Sequence, residues 1–150
     1  MPTFGGSTDI VFSVPIRVYF QDTDAGGVVY HGAYLDFLER ARTDWLEALG
    51  FAQTDLAGRH GVLFIVRTLE LAYLRPAVLD DRLAVGVEIV RLGRAQVTLR
   101  QEVRRGEDAL LRAQVNLACV GREGLRPRPL PEDIYAALAA DARRELSKEA

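Results

Sequence analysis

Hydrophobic residues between Gly32 and Leu49 recur every three or four positions, the spacing that places them on one face of a helix. The residues on this face are Tyr34, Leu38, Ala41, Trp45, Ala48 and Leu49. Gly50 follows at the position where glycine commonly ends a helix. The pattern therefore predicts one long helix, and its aromatic residues indicate that it packs deeply against the rest of the domain.

The second half of the chain alternates hydrophobic and polar residues, which is the period of a β-strand. A nearly continuous apolar run from Leu63 to Leu74 comes first, and Arg75 and Pro76 close it. Three alternating segments follow at 83–89, 97–103 and 111–119, separated by turns at 92–94 and 105–108. We expect antiparallel strands with one buried face. The predicted order is a strand, a long helix, a four-strand meander and a tail, which is an α+β fold.

The two ends of the chain carry weaker signals. A short strand is predicted from Ile16 to Phe20, after a loose lead-in at residues 1–13. The stretch from Arg126 to Pro131 is excluded from a central strand, because proline donates no ladder hydrogen bond. Pro131 then opens a second helix, with Tyr135, Leu138 and Ala142 in its apolar pattern.

The composition is that of one soluble domain of 150 residues, with 49% hydrophobic and 27% charged residues. We interpret residues 1–150 as a single domain with a core from about 14 to 131 and a helical tail after 131. A net charge of -2 does not indicate a nucleic-acid partner. The longest strictly apolar run, Val62 to Val66, is far shorter than the roughly 20 residues that cross a bilayer. The N-terminus lacks the pattern of a signal peptide, so we expect a cytoplasmic protein.

The polar residues with chemical potential crowd into the segment from Gln21 to Gly32, which holds two aspartates, two adjacent glycines and a histidine. This segment ends where the long helix begins, and a helix start presents unpaired N–H groups with a partial positive charge. Such N–H groups can stabilise the oxygen of a polarised carbonyl. A nearby carboxylate can attack the carbonyl carbon or activate a water molecule. The segment therefore has the minimal apparatus for acyl transfer to water.

The same segment also fits a plain turn, a calcium loop or another metal site. Asp22 and Asp24 suit an ordinary turn, where their side chains bind nearby backbone. The Asp22-x-Asp24-x-Gly26 spacing imitates the first half of an EF-hand loop, but Ala33 stands where calcium needs a glutamate. A metal held by Asp22, Asp24 and His31 has no second cluster to support it.

The remaining reactive residues indicate no chemistry of their own. A single cysteine, Cys119, rules out an internal disulfide, and we expect it to be buried among apolar residues. His60, the other histidine, is flanked by a glycine and is expected to be solvated.

The stretch from Val18 to His31, continued by Tyr34-Leu35-x-Phe37-x-Glu39-Arg40-Ala41-Arg42, resembles the signature of hotdog-fold thioesterases. The similarity is to the 4-hydroxybenzoyl-CoA thioesterase type, and most closely to its Tol–Pal-associated YbgC subgroup. It runs from about Pro15 to Pro131 and includes the Arg-Pro-x-x-Leu-Asp-Asp motif at Arg75 to Asp81.

The resemblance implies an antiparallel sheet wrapped around one long helix, and an enzyme that hydrolyses acyl-CoA to free acid and CoA. It implies that Asp24 is the nucleophile or general base and that the backbone N–H of His31 forms the oxyanion hole. The His31 side chain would be a pocket residue, and Asp22 would brace the loop. A related branch places its carboxylate on the helix, so a catalytic Glu39 is a minor alternative to a Glu39 that pairs with an arginine.

The resemblance also implies how substrate is held. The acyl pocket is expected at Tyr30, Tyr34, Phe64, Ile65 and Val66, the last three contributed by a neighbouring subunit. The coenzyme A phosphates are expected at Gly93, Arg94, Arg126 and Arg128, because arginine pairs well with phosphate. No metal or organic cofactor is implied, since coenzyme A is part of the substrate. A homodimer or homotetramer is expected, because a small domain commonly covers spare sheet edges with a second copy.

Two rival functions share this fold. A non-hydrolytic protein could use the same pocket to bind acyl-CoA or acyl carrier protein. A hotdog dehydratase is disfavoured by the Asp-Thr-Asp loop and by the lack of a second acid–base pair in a matching motif.

Overall fold

The structure is a computed structural model that describes residues 10–149, with side chains described as far as residue 143. Within these residues, five strands form one antiparallel sheet in the order β1-β3-β4-β5-β2. The strands are β1 (Phe12–Arg17), β2 (Val62–Tyr73), β3 (Arg82–Leu92), β4 (Gln96–Arg105) and β5 (Asp108–Gly121). The helices are α1 (Ala33–Ala48), α2 (Gln53–Asp55) and α3 (Glu132–Glu149), with a 3₁₀ turn at Phe20–Asp22 and a π-helical turn at Leu56–His60. The predicted α+β hotdog fold, a sheet around one long helix, is confirmed.

The three alternating segments form the predicted meander, but the four-strand meander was wrong in its connectivity. β3 pairs with β4 and β4 with β5, whereas β2 pairs with β5 and lies at the far edge of the sheet. Hydrophobic periodicity identifies a strand and its buried face, but long-range packing selects the neighbouring strand. A bulge between Val66 and Thr68 interrupts the β2–β5 ladder.

Helix α1 packs on the inner face of the sheet through the predicted stripe. Leu38, Ala41 and Trp45 of this stripe are almost fully buried, and so is Phe37 beside it, whereas Ala48 is exposed because the helix ends there. One polar link crosses this interface: the Arg42 guanidinium donates to Gln101 Oε1, and Gln101 Nε2 donates to the Leu38 carbonyl. Gln101 is fully buried, so this link satisfies its polar atoms inside the core.

The N-terminal strand lies earlier than predicted. Strand β1 begins at Phe12, inside the expected lead-in, and ends at Arg17. Phe20 belongs to the 3₁₀ turn that follows. Pairing with β3 sets these limits, because beyond Arg17 the Val18 carbonyl accepts the Asp80 N–H at 3.1 Å, one residue out of register. The rest of the expected lead-in, residues 1–9, lies outside the described residues.

The C-terminal helix is part of the core rather than a peripheral tail. Ile134 and Leu138 of α3 are fully buried, and Trp45 Nε1 donates to Asp141 Oδ2 at 3.1 Å. The expectation of a solvated His60 was wrong. Its side chain is 12% exposed, and its Nε2 lies 2.8 Å from Asp133 Oδ2, so it ties the π-helical turn to the start of α3. Its hydrogen bond holds the pKa of Asp133 below the usual range of that carboxyl.

Strand β2 occupies one edge of the sheet along its 12 residues. Several large apolar side chains on it are exposed: Ile65, Val66, Leu69 and Tyr73. An edge strand of this length, with apolar side chains, invites pairing with another chain. Among the helices described, none is long and apolar enough to cross a membrane.

Candidate active site

The Asp-Thr-Asp segment folds into a small hairpin-like loop before α1. The Asp24 N–H donates to the Val28 carbonyl at 2.9 Å, and the Tyr30 N–H donates to the Asp22 carbonyl at 3.2 Å. Gly27 has a φ of 84°, a left-handed conformation that favours glycine, and it lets the chain turn back. The loop thereby presents Asp24 close to its tip and leads directly into the start of α1.

The two aspartates of this loop differ in environment. Asp22 is buried, and its Oδ2 accepts the Tyr19 N–H at 2.9 Å, so it braces the loop as expected. Asp24 is exposed, and its Oδ1 accepts the Gly26 N–H at 2.8 Å. Within the described residues, Asp24 Oδ2 accepts no hydrogen bond. Asp24 is therefore held in place by one oxygen while the other remains available.

Helix α1 begins with two unused backbone donors. The Ala33 N–H donates to the Tyr30 carbonyl at 3.0 Å, and the Leu35 N–H donates to the Gly32 carbonyl at 3.1 Å. The N–H groups of His31 and Gly32, which precede these, have no acceptor in the part of the chain that the structure describes. Two adjacent donors at the positive end of a 16-residue helix suit a developing oxyanion.

A cavity of about 260 Å³ lies beside this helix start. It is lined by Val29, His31, Tyr34, Tyr73, Leu74, Arg75 and Pro76. The Tyr34 hydroxyl accepts the Ala77 N–H at 3.0 Å, and burial raises the pKa of Tyr34, which keeps the phenol neutral. Tyr73 donates to the His31 carbonyl at 3.1 Å. Asp24 does not line this cavity, and no hydrogen bond joins it to His31 among the described residues.

The expected acyl-pocket residues are separated within one protomer. Tyr34 lines the cavity at the helix start, whereas Phe64 and Val66 line a second cavity of about 270 Å³ between α1 and β2. Ile65 and Phe64 line a third cavity, of about 200 Å³, towards α2. Tyr30 lines none of the three, and its ring packs over Gly32 instead. One protomer therefore does not assemble the predicted pocket.

Glu39 lies in the second cavity together with Arg42, Thr43 and Gln53. Burial lowers the pKa of Arg42, and the Glu39 carboxylate acts against this by raising it. The charge of Glu39 therefore partly offsets the effect of burial on the pKa of Arg42. About two turns of helix separate Glu39 from the unused N–H groups, so it is less well placed for the oxyanion chemistry than the loop carboxylate.

The residues expected to bind the coenzyme A phosphates gather at one end of the sheet. The Leu130 N–H donates to the Arg94 carbonyl at 2.7 Å, and the Arg128 N–H donates to the Cys119 carbonyl at 3.0 Å. Gly93 closes the β3–β4 turn by donating to the Gln96 carbonyl. Arg94, Arg126 and Arg128 are all exposed, which leaves their guanidinium groups accessible to phosphate.

Two residues were not expected from the sequence: Arg122 in this arginine region, and Tyr73 at the cavity beside the helix start. Arg122 joins the arginines, because its N–H donates to the Gly61 carbonyl at 2.8 Å. Tyr73 lines the cavity and contacts the His31 carbonyl. The signal for Tyr73 was its position at the end of the apolar run, directly before the Arg-Pro motif. No group of three His, Cys, Asp or Glu side chains is placed to hold a metal in the described structure, which disfavours a metal at Asp22, Asp24 and His31.

An antiparallel sheet around one long helix, with a carboxylate loop before that helix, defines the hotdog thioesterase class. The sequence profile of the thioesterase superfamily matches residues 26–112, and the chain belongs to this family.

Relatives at higher identity refine this assignment. The chain is 43% identical over 126 residues to "Acyl-CoA thioesterase YbgC" of Haemophilus influenzae, covering 84% of this chain and 93% of that protein. It is 42% identical over 127 residues to "Acyl-CoA thioester hydrolase YbgC" of Escherichia coli, covering 84% and 94%. A solved structure of a probable thioesterase from Bartonella henselae is 39% identical, with a TM-score of 0.76, and covers 80% of this chain and 98% of that one. These similarities confirm the resemblance to the YbgC subgroup.

Proposed function

We propose that this thioesterase hydrolyses acyl-CoA to free acid and CoA, with Asp24 as nucleophile or general base and the His31 N–H as oxyanion donor. The observation that carries the proposal is the joint delivery, by one short loop, of an exposed carboxylate and unused helix N–H groups. The names of the curated relatives supply the substrate class.

The chemistry follows from these groups. The thioester oxygen accepts the His31 N–H, so the negative charge that develops on it is stabilised. On one route Asp24 attacks the carbonyl carbon, the CoA thiolate leaves, and water then hydrolyses the mixed anhydride. On the other route Asp24 removes a proton from water, the hydroxide attacks, and collapse of the tetrahedral intermediate expels the CoA thiolate. Both routes use only protein groups and water, and neither requires a metal or organic cofactor.

The proposed active unit is a homodimer joined through β2. The exposed apolar residues of this edge strand would be buried by a second copy. Antiparallel pairing about a two-fold axis would bring the C-terminal end of one β2, at Tyr73, beside the N-terminal half of the other. Phe64 of the partner subunit would then approach the cavity at the helix start. A dimer therefore accounts for acyl-pocket residues that one protomer keeps apart.

The same pairing would place the arginine cluster near the substrate. The cluster comprises Arg94, Arg122, Arg126 and Arg128, and its contact with Gly61 puts it directly before the N-terminal end of β2. In the proposed dimer this end faces the partner's cavity. Charge-assisted contacts to the phosphates would hold CoA while its thioester enters the cavity. A tetramer, acyl carrier protein as an alternative carrier and a cytoplasmic location stay predictions.

The test is release of free thiol from a series of acyl-CoAs, from acetyl to palmitoyl with benzoyl types, followed with a thiol reagent. We expect hydrolysis by the wild-type protein and a kcat lower by at least about 10²–10⁴-fold in Asp24→Asn, the usual contribution of a general base; loss of a nucleophile would cost more. Asp44→Asn, an exposed aspartate on α1, is the matched control and should retain normal activity.

Two results would contradict the proposal in different ways. Substrate binding without thiol release by the wild-type protein would favour the non-hydrolytic acyl-binding function. Near-normal turnover by a folded Asp24→Asn protein would remove Asp24 from the mechanism and direct attention to Glu39.

A further inference from the structure

We propose that Tyr73 is a positioning residue that fixes the peptide between His31 and Gly32, so that the Gly32 N–H acts as a second oxyanion donor. This inference rests on the proposed thioester hydrolysis. Its starting point is the hydrogen bond from the Tyr73 hydroxyl to the His31 carbonyl, at 3.1 Å. Tyr73 also lines the cavity at the helix start.

The His31 carbonyl needs an outside donor because of how α1 begins. His31 precedes the N-cap Gly32, so its carbonyl lies outside the ladder of intrahelical hydrogen bonds. The Leu35 N–H donates to the Gly32 carbonyl at 3.1 Å, in a tighter first turn. The Tyr73 hydroxyl supplies the donor that the His31 carbonyl accepts. A strand thereby fixes the peptide directly before a helix that begins some forty residues earlier in the chain.

The orientation of this peptide determines where the Gly32 N–H points. A trans peptide is planar, and its carbonyl and N–H point in opposite directions. A donor that fixes the His31 carbonyl therefore also fixes the Gly32 N–H. Hydrogen bonds polarise one another, so the donor at the oxygen makes this N–H a stronger donor in turn. The Gly32 N–H has no acceptor within the described residues, so it can serve the oxyanion beside the His31 N–H.

The ring of Tyr73 is itself held in place. It packs edge-on against Tyr34, with ring centroids 5.6 Å apart and an interplanar angle of 71°. Tyr34 is fixed by Phe37, at 5.9 Å, and by the Ala77 N–H at its hydroxyl. One face of the Tyr73 ring thus packs against a fixed aromatic group, which limits the entropy lost when its hydroxyl orders the peptide.

The ring of Tyr30 lies close to Gly32 on the other side of this peptide. A Cβ on Gly32 would lie 2.9 Å from Tyr30 Cε2, closer than such contacts allow. The φ of Gly32 is -71°, so its backbone conformation does not require glycine. A larger residue here would therefore force the exposed Tyr30 ring to shift. The Tyr30 ring thus lies against the Gly32 side of the peptide, and the Tyr73 hydroxyl binds its carbonyl.

The test is Tyr73→Phe, which keeps the ring packing and removes only the hydroxyl. We expect kcat for the best acyl-CoA substrate to fall roughly tenfold, less than the 10²–10³-fold cost of removing an oxyanion donor outright. KM should stay nearly constant, because the interaction strengthens in the transition state. Tyr135→Phe, an exposed tyrosine on α3, is the matched control and should keep the wild-type kcat.

A second measurement reads the peptide directly. The ¹⁵N chemical shift of an amide responds to a hydrogen bond at the preceding carbonyl, so the Gly32 signal should move in Tyr73→Phe. The Gly106 signal, in a distant hairpin turn, should not move and reports that the fold is intact. An unchanged kcat would overturn the proposal. So would a reduced kcat with an unchanged Gly32 signal, because the effect would not then pass through this peptide.

Failure of the proposed function gives a different result. A wild-type protein that releases no thiol from any acyl-CoA would overturn thioester hydrolysis, and the catalytic role of Tyr73 with it. Active wild type with unaffected Tyr73→Phe would overturn only the role of Tyr73.

Discussion

The backbone and the side chain of His31 have different roles in the proposed site. Its N–H is an unused donor at the start of α1, and its side chain lines the neighbouring cavity. The proposed oxyanion contact uses only the N–H, which every amino acid except proline possesses. The imidazole can contribute to the shape and polarity of the cavity without touching the reacting atoms.

We therefore expect His31→Ala to be milder than Asp24→Asn. Removal of an oxyanion donor lowers kcat by about 10²-fold or more. The loss in His31→Ala should be smaller than this, because the backbone N–H of residue 31 is still present. Steady-state rates of thiol release for the two variants, with circular dichroism to verify folding, would make the comparison. A folded His31→Ala protein as inactive as Asp24→Asn would assign the imidazole a direct chemical role.

At the scale of elements, α3 is part of the core although much of its sequence is charged. Only two turns of its apolar pattern are strong, and the helix continues into charged sequence. Yet Ile134 and Leu138 are fully buried, and His60 and Trp45 both bond to aspartates of this helix. The helix therefore holds α1 and the π-helical turn in a fixed relation.

Leu138→Ala should destabilise the protein by about 2–5 kcal/mol, the usual cost of removing a buried leucine side chain. Urea denaturation would measure the free energy of unfolding. Tyr135→Ala on the exposed side of the same helix should change it by no more than about 0.5 kcal/mol. Equal and small effects of both substitutions would mean that α3 is not part of the cooperative core.

At the scale of the whole molecule, the edge strand β2 exposes apolar side chains that no other described part of the chain covers. The cavities at the two ends of this strand contain complementary parts of the expected acyl pocket. In an antiparallel dimer, the cavity at the helix start of each subunit would meet the Phe64 region of the other, which gives two equivalent sites related by the two-fold axis. Activity and association should therefore depend on the same strand.

Val66→Glu should prevent dimer formation, because a charge would be buried at the centre of the proposed interface. Light scattering after size-exclusion chromatography should give a dimer or larger assembly for wild type and a monomer for the variant. Acyl-CoA hydrolysis should fall with the loss of the dimer. Val90→Glu, at a similarly exposed valine of β3, should alter neither property. A fully active Val66→Glu monomer would show that one subunit contains the complete site.

The sequence by itself determined the local features of this protein. The spacing of apolar residues located α1 to within one residue at each end, and the alternation located β3, β4 and β5 with the correct inner face. These features could be predicted because they depend on the periods of 3.6 and two residues within a short stretch. The Asp-Thr-Asp loop could also be identified from a short stretch of sequence. Its resemblance to the thioesterase signature implied that Asp24 is the catalytic carboxylate.

Only the tertiary structure decided which distant segments meet. In the structure, β2 pairs with β5, β1 begins at Phe12, and the largely buried His60 side chain contacts Asp133. The tertiary structure also separated Tyr34 from Phe64 within a protomer and brought the hydroxyl of Tyr73 to the His31 carbonyl. These contacts join residues far apart in the chain and are selected by the packing of the whole core. The hydrophobic periodicity of a short stretch does not specify which distant segment packs against it, so these contacts could not be predicted from the sequence pattern.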